Sequence, residues 1–219
     1  ALVNTPSYVE TAKQVIIEVN TTQPVELEGM HDCFVPLDPP NRKPIMIERP
    51  EDRIGTTYVP CPIDKVVAVV PCDVTDKTRS LAAIDDDAKK MGENLVDFFN
   101  NEVKAGRLPK NLLPLQSGVG SVANAVINGL VNSNFEDLTV YTEVIQDGMF
   151  DLIDAGKLRV ASGTALSPSP DCLKKFYANL GKYKSHLILR PQEIANNPEV
   201  ARRIGVIAMN TAIECDIYG

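Results

Sequence analysis

Hydrophobic positions in the second half of the chain alternate between two periods. Short apolar runs rich in β-branched residues predict strands, and apolar residues three or four positions apart predict helices. The predicted strands are 112–116, 138–142, 158–162, 186–190 and 205–210, and the predicted helices between them are 122–131, 149–155, 172–180 and 199–204. Strands that alternate with helices through short connections are typical of an α/β fold, with a mostly parallel sheet covered by helices.

The first half of the chain follows a different pattern. Residues 15–20 and 65–73 predict two strands, the first of them buried, and many of the 16 prolines lie in the segment 21–63 between them. Proline fixes φ and lacks an N–H, so we expect this segment to be an ordered excursion with at most short edge strands.

A single long helix is predicted between the two halves, from about Leu81 to a stop at Gly106 and Pro109. Its apolar positions recur at spacings of three and four, and we expect them to face the core. They are Ala88, Met91, Leu95, Phe98, Phe99 and Val103.

Composition and charge exclude several classes of protein. The 219 residues carry 29 acidic and 22 basic side chains, a net charge of −7, which opposes binding to nucleic acid or to an anionic membrane. No apolar run reaches the roughly 18 residues of a membrane helix, and the first ten residues do not resemble a signal peptide. The five cysteines include no CxxC pair, so we expect reduced thiols, no metal site and a soluble cytoplasmic chain.

The loops after the predicted strands are the candidate ligand sites, because ligands of open α/β sheets bind beyond the carboxyl ends of the strands. Gly118 and Gly120 allow close approach of a ligand to the backbone, and the helix that follows offers free N–H groups to an anion. Glu143 follows the next strand and is a candidate general base or nucleophile, or else a solvated loop residue or helix cap.

Two later loops contain further candidates. Arg190 could hold a carboxylate or a phosphate, and Asn196 could stabilise an oxyanion. The alternative is that Asn196 and Asn197, before Pro198, form an ordinary loop at the start of a helix. Glu214 and Asp216 alternate along an extended segment, as paired acid–base groups or as one face of an exposed strand. From the residues alone, the choice between Glu143 and Glu214 stays open.

Four segments, in this order and spacing, resemble the acetyl-CoA hydrolase/transferase family, which are class I CoA-transferases of the succinate:acetate type. They are LLPLQSGVGSVANAV, YTEVIQDGM, LILRPQEIANNP and IAMNTAIECDIYG. The upstream segments VIIEVN, LEGMHD and FFNNEVKAGRLP are similar to the same family, so the resemblance covers essentially the whole chain.

The resemblance implies a CoA-transferase (NagB/RpiA-like) architecture of two α/β domains in tandem, with acyl-CoA bound in the cleft between them. Family members are longer at both ends, so we expect a central portion of that architecture. Residues 1–80 would hold the C-terminal part of the first domain with the proline-rich excursion. Residues 81–108 would form a linker helix, and 109–219 the N-terminal part of the second domain.

The resemblance also implies roles for individual residues. Glu143 would be the nucleophile and Asn196 the oxyanion donor. The implied CoA contacts are Leu115, Gln116, Ser117, Gly118, Val119, the adjoining Gly120, and Ile213.

The implied activity is CoA transfer between acetyl-CoA or succinyl-CoA and a small carboxylate, through a glutamyl-CoA thioester. Coenzyme A and acyl-CoA would be substrates, with no tightly bound cofactor and no metal. An acetyl-CoA hydrolase and an inactive fragment that binds CoA or a partner chain are the alternatives. A homodimer is common for such folds, and the compartment would be the cytoplasm, or the mitochondrion in a fungal protein.

Overall fold

The structure, a computed structural model, describes residues 2–78, 84–212 and 214–218. Its helices are α1 (Thr5–Thr11), α2 (Asp86–Lys104), α3 (Ser121–Val131), α4 (Asp147–Asp154), α5 (Pro170–Ala178), α6 (Leu180–Lys184), α7 (Gln192–Ala195) and α8 (Pro198–Arg203). Its strands are β1 (Val15–Asn20), β2 (Val66–Cys72), β3 (Leu115–Ser117), β4 (Leu138–Tyr141), β5 (Val144–Ile145), β6 (Leu158–Gly163), β7 (Ala165–Leu166), β8 (Leu187–Leu189) and β9 (Ile207–Met209). Within the described ranges, no helix combines the length and the apolar character needed to cross a bilayer.

Five strands of the second half form one parallel sheet in the order β8-β6-β4-β3-β9. From β3 the chain moves outward through β4, β6 and β8, and then returns to place β9 on the other side of β3. The strand order therefore reverses between β3 and β9. Such a reversal opens a crevice at the carboxyl edge of a parallel sheet, which is where ligands bind.

Burial on both faces explains why the central strands of this sheet could be predicted from the sequence. All four residues of β4 are buried, as expected for a parallel strand covered on both faces. The predicted strand at 112–116 is shorter than expected and begins at Leu115. Leu112 adopts a positive φ of 57° and Pro114 has no N–H to donate, so the preceding residues cannot extend the ladder. Helices α1, α6 and α7 and the two-stranded parallel pair β5–β7 were not predicted.

Strands β1 and β2 form a separate parallel pair, which confirms both predicted strands. The prediction that the first of them is buried is wrong. Ile16 is 65% exposed and Val69 is 58% exposed. A run of β-branched residues indicates an extended backbone but does not report what covers it, and among the described residues no third strand pairs with either strand.

The long helix is present as α2 and is capped at both ends. The Asp85 carboxylate accepts a hydrogen bond from the N–H of Ala88 at 2.7 Å, and Gly106 takes the left-handed conformation after the last turn. The start predicted near Leu81 lies outside the described residues, which exclude 79–83.

The face that α2 buries matches the predicted one in part. The predicted positions Ala88 and Phe99 are buried, and Leu95 and Val103 pack half-buried against the core. Met91 is 48% exposed and Phe98 is 53% exposed, so these two were predicted wrongly. Helix α3 packs so closely that a Cβ at Gly92 would lie 2.7 Å from the carbonyl oxygen of Ala125. Small residues therefore define this helix contact, and a pattern based on large apolar residues does not identify Gly92 as part of it.

The proline-rich excursion is ordered, as predicted, with short 3-10 turns at Val25–Leu27 and Ile63–Lys65 and isolated bridges in place of strands. His31 bridges in parallel to Leu189 at the outer edge of the five-stranded sheet.

A buried ion pair between Arg190 and Asp32 holds the excursion in place. Arg190 also donates to the Ser162 hydroxyl at 2.6 Å and to the carbonyl of Pro50 at 2.9 Å. Burial lowers the pKa of this guanidinium, and the charge of Asp32 acts in the opposite direction. Arg190 is therefore engaged within the chain and is not available to the ligand anion considered from the sequence.

Candidate active site

A cleft of about 470 Å³ opens at the carboxyl edge of the five-stranded sheet. Its lining comes from the ends of β3, β4 and β9 and from helices α7 and α8, so it lies at the strand-order reversal. The lining residues are Gln116, Tyr141, Thr142, Glu143, Ala195, Asn196, Ala201, Arg202, Val206, Ala208 and Asn210.

Glu143 and Asn196 meet at the rim of this cleft. Glu143 lies between β4 and β5, where its backbone carbonyl accepts a hydrogen bond from the N–H of Thr164 at 2.8 Å. Its side-chain Oε2 accepts a hydrogen bond from Asn196 Nδ2 at 2.9 Å, and both side chains are exposed. A fixed carboxylate beside an amide donor is an arrangement suited to nucleophilic attack with stabilisation of the oxyanion that forms.

The two asparagines of this loop have separate positions. Asn196 ends α7 and faces Glu143, whereas the Asn197 side chain accepts hydrogen bonds from the N–H groups of Glu199 and Val200 at the start of α8. The interpretation as a helix start is therefore confirmed for Asn197.

The glycine turn between β3 and α3 is fixed against the Glu143 segment. Gln146 donates to the carbonyl of Gly118 at 3.0 Å, and Thr142 donates to the carbonyl of Ser117 at 3.2 Å. A Cβ at Gly118 would lie 2.7 Å from Asn210 Oδ1, so a larger residue there would displace the Asn210 side chain. Gly120 has a φ of 138° and immediately precedes α3.

The structure places the residues of the implied CoA contact at different depths. Gln116 lines the cleft, Leu115 and Ser117 are buried beneath the turn, and Val119 is 71% exposed at its tip. Ile213 lies outside the described residues.

Asn210 lines the cleft but was not singled out from the sequence. Its side-chain amide pairs reciprocally with that of Gln116, at 3.0 Å and 2.9 Å, and this pair joins β9 to β3 across the reversal. The sequence signal was its position directly after a predicted strand. The candidates predicted from this segment were the carboxylates Glu214 and Asp216, and neither of them lines the cleft.

Tyr141 is a second lining residue that the sequence did not single out. It is buried, and its hydroxyl donates to the carbonyl of Ile194 at 2.5 Å. Burial raises the pKa of Tyr141 to about 12, so the phenol stays protonated and donates at neutral pH. Tyr141 is two residues before Glu143 and Ile194 is two residues before Asn196, so this bond ties the two facing segments together.

Comparisons with known proteins agree on one family. The model of the acetyl-CoA hydrolase/transferase N-terminal domain matches residues 1–71. The chain is 54% identical over 216 residues to the succinyl-CoA:acetate CoA-transferase of Clostridium kluyveri, covering 99% of this chain and 40% of that protein. It is 50% identical over 214 residues to an acetyl-CoA hydrolase of Neurospora crassa, covering 98% of this chain and 41% of that protein. The chain thus spans about 40% of the length of these curated relatives.

Solved structures share the fold at low sequence identity. RipA from Yersinia pestis matches with a TM-score of 0.62 and 18% identity, over 93% of this chain and 39% of that chain. The 4-hydroxybutyrate CoA-transferase from Porphyromonas gingivalis matches with a TM-score of 0.58 and 19% identity, over 96% of this chain and 45% of that chain. These matches confirm the predicted fold class, and identity near one half along almost the whole sequence shows that the chain belongs to the acetyl-CoA hydrolase/transferase family.

Proposed function

We propose that the protein containing this chain is a CoA-transferase that moves CoA between an acyl-CoA and a small carboxylate such as acetate or succinate. The observation that carries the proposal is the Glu143 carboxylate held at 2.9 Å by the Asn196 amide, at the rim of a cleft at the strand-order reversal. The names of the relatives, CoA-transferase and acetyl-CoA hydrolase, support an acyl-CoA substrate. The turn 117–120 is the proposed contact for CoA, since its glycines leave the backbone accessible.

Glu143 acts as the nucleophile in this proposal. Its Oε1 attacks the thioester carbonyl carbon and the C–S bond breaks, which leaves a mixed anhydride on Glu143 and a CoA thiolate. The thiolate then attacks the glutamyl carbonyl and expels the donor carboxylate, forming glutamyl-CoA. An incoming carboxylate reverses the two steps and regenerates the Glu143 carboxylate. A covalent route of this kind gives ping-pong kinetics.

Asn196 stabilises the charge that develops during each addition. Every tetrahedral intermediate carries a negative oxygen, and the Asn196 amide already points to the carboxylate at which the intermediate forms. A single donor of this kind commonly contributes roughly 3 kcal/mol to transition-state stabilisation.

Hydrolysis of acetyl-CoA is the second candidate function. An acetyl-CoA hydrolase is among the relatives, and attack of water on the glutamyl-CoA thioester in place of a carboxylate would release free CoA. The two functions differ only in what attacks the thioester. The ratio of succinyl-CoA formed to free CoA released, measured with acetyl-CoA and succinate, separates them.

Intact-mass spectrometry of the full-length protein tests the proposed intermediate. Incubation with acetyl-CoA should add the mass of CoA minus water, and peptide mapping should locate the addition on the peptide that holds Glu143. The adduct should be absent from Glu143→Ala and retained in Glu136→Ala, which changes an exposed glutamate away from the cleft. A wild-type protein that turns over acetyl-CoA through an adduct on any other residue would refute the mechanism.

Replacing Tyr141 by phenylalanine is expected to lower kcat about tenfold with little change in KM for acetyl-CoA. The lost hydroxyl frees the loop that carries Asn196 to move relative to Glu143, and small misplacements of reacting groups have large effects on rate. Steady-state kinetics of the purified full-length variant measure this effect.

Tyr183→Phe is the matched control for Tyr141→Phe. Tyr183 is also buried and also donates a hydrogen bond, to Asp154 Oδ1 at 2.9 Å, but it is not part of the cleft. Both variants should lose about 1 kcal/mol of stability, and only Tyr141→Phe should lose kcat. Equal kinetics in the two variants would show that the Tyr141 hydroxyl serves stability alone.

A further inference from the structure

Of the described residues that line the cleft, two are charged: Glu143 and Arg202. We propose that Arg202 binds the carboxylate of the acceptor acid and so determines the affinity for that substrate. This inference rests on the proposed function and adds a recognition residue to the same cleft.

The neighbouring Arg203, unlike Arg202, is bound to other residues of the chain. It forms an ion pair with Glu199 at 2.5 Å and donates to the carbonyls of Ile45 and Ile47, both at 2.7 Å. Arg202 lies about 100° further around α8, on the side of the cleft. Within the described ranges its guanidinium has no carboxylate within 4.0 Å, so its charge is available to a ligand.

The chemistry of the second half-reaction calls for such a cation. The acceptor enters as an anion while Glu143 is a neutral thioester, so the negative charge of the incoming carboxylate needs a partner of its own in the cleft. A carboxylate that leaves water for a protein site is stabilised there by a cation or by charge-assisted hydrogen bonds. Asn196 is already engaged with Glu143 Oε2, and the other described lining residues are uncharged. The planar guanidinium of Arg202 matches a carboxylate with two parallel hydrogen bonds.

A simpler role for Arg202 makes a different prediction. Arg202 lies in the last turn of α8, where a cation stabilises the helix end through the macrodipole. In that case its replacement changes stability slightly and leaves the kinetics unchanged. A phosphate of CoA is the other anion that an arginine in this cleft could bind, and its loss would affect the acyl-CoA instead of the acceptor.

Initial-rate kinetics of the full-length Arg202→Gln variant separate these roles, with acetate, succinate and acetyl-CoA varied in turn. We expect KM for each carboxylate to rise about tenfold or more, and KM for acetyl-CoA to stay within twofold. Arg202→Lys should recover part of the loss, because it keeps the charge without the planar fork. Lys104→Gln is the control, since it removes a cation from the last turn of α2, away from the cleft.

The outcomes distinguish this inference from the proposed function itself. An unchanged KM for the carboxylates in Arg202→Gln, or a rise in KM confined to acetyl-CoA, would overturn the assignment of Arg202. In both cases the adduct on Glu143 would still form and the proposed function would stand. A wild-type enzyme without that adduct would refute the proposed mechanism instead, and the acceptor role of Arg202 with it.

Discussion

Replacing Glu143 by alanine is expected to reduce CoA transfer by at least about 10⁴-fold, because no other carboxylate lines the described part of the cleft. The variant keeps the fold, since the side chain is exposed and its one described hydrogen bond is to Asn196. Steady-state transfer rates between acetyl-CoA and succinate, measured with the full-length protein, give the size of the loss.

The conservative Glu143→Asp variant sharpens this prediction. It keeps the charge but withdraws the attacking oxygen by about one carbon–carbon bond, and we expect transfer to fall by about 10²-fold or more. A role for Glu143 as a simple negative charge would leave Glu143→Asp close to wild type. Glu136→Ala is the matched control and should transfer CoA normally, because Glu136 is exposed and lies outside the cleft. Transfer by Glu143→Ala within tenfold of wild type would rule out the covalent route.

Replacing Asp32 by alanine is expected to lower the free energy of unfolding by about 3–5 kcal/mol. The Arg190 guanidinium is fully buried and would lose its counter-ion. The N–H groups of Ile54 and Gly55 would also lose their acceptor, Asp32 Oδ1, at 2.9 and 2.6 Å. Urea unfolding followed by circular dichroism measures the change.

Two further variants test this explanation. Asp32→Leu combined with Arg190→Met should be more stable than Asp32→Ala, because no uncompensated charge remains buried. Glu102→Ala, which breaks the partly exposed pair with Arg107, should change stability by about 1 kcal/mol or less. If Asp32→Ala and Glu102→Ala were equally mild, the buried pair would not hold the excursion.

The elements that were predicted well are those whose surroundings are uniform. Strand β4 is buried on both faces, and its sequence of mostly apolar, β-branched and aromatic residues is sufficient to predict a strand. The burial of β1, and of Met91 and Phe98 in α2, was predicted wrongly. The spacing of apolar residues does not show which other elements cover them. On the α2 side the deciding residue is Gly92, which signals close packing only when the opposing helix is known.

The residues of the candidate site also fall into two groups, those that a local segment identifies and those that only the fold brings together. The chemistry of Glu143 and Asn196 and the flexibility of Gly118 can be recognised as local segments. That Asn210 and Arg202 line the same cleft follows from the insertion of β9 beside β3, a pairing across most of the second half of the chain. Strand order arises from long-range packing, so no single segment encodes it.

The position of β9 determines when, during synthesis and folding, the cleft is completed. Gln116 and Asn210 are 94 positions apart, and their amide pair spans the longest loop between neighbouring strands of the five-stranded sheet. Pairings across long loops form slowly because their closure has a larger entropic cost. On a ribosome, β3, β4, β6 and β8 emerge before β9, so Glu143 is synthesised while its cleft still lacks the wall that β9 provides. If Glu143 is the nucleophile, as proposed, a partly synthesised chain would carry it before the cleft is complete.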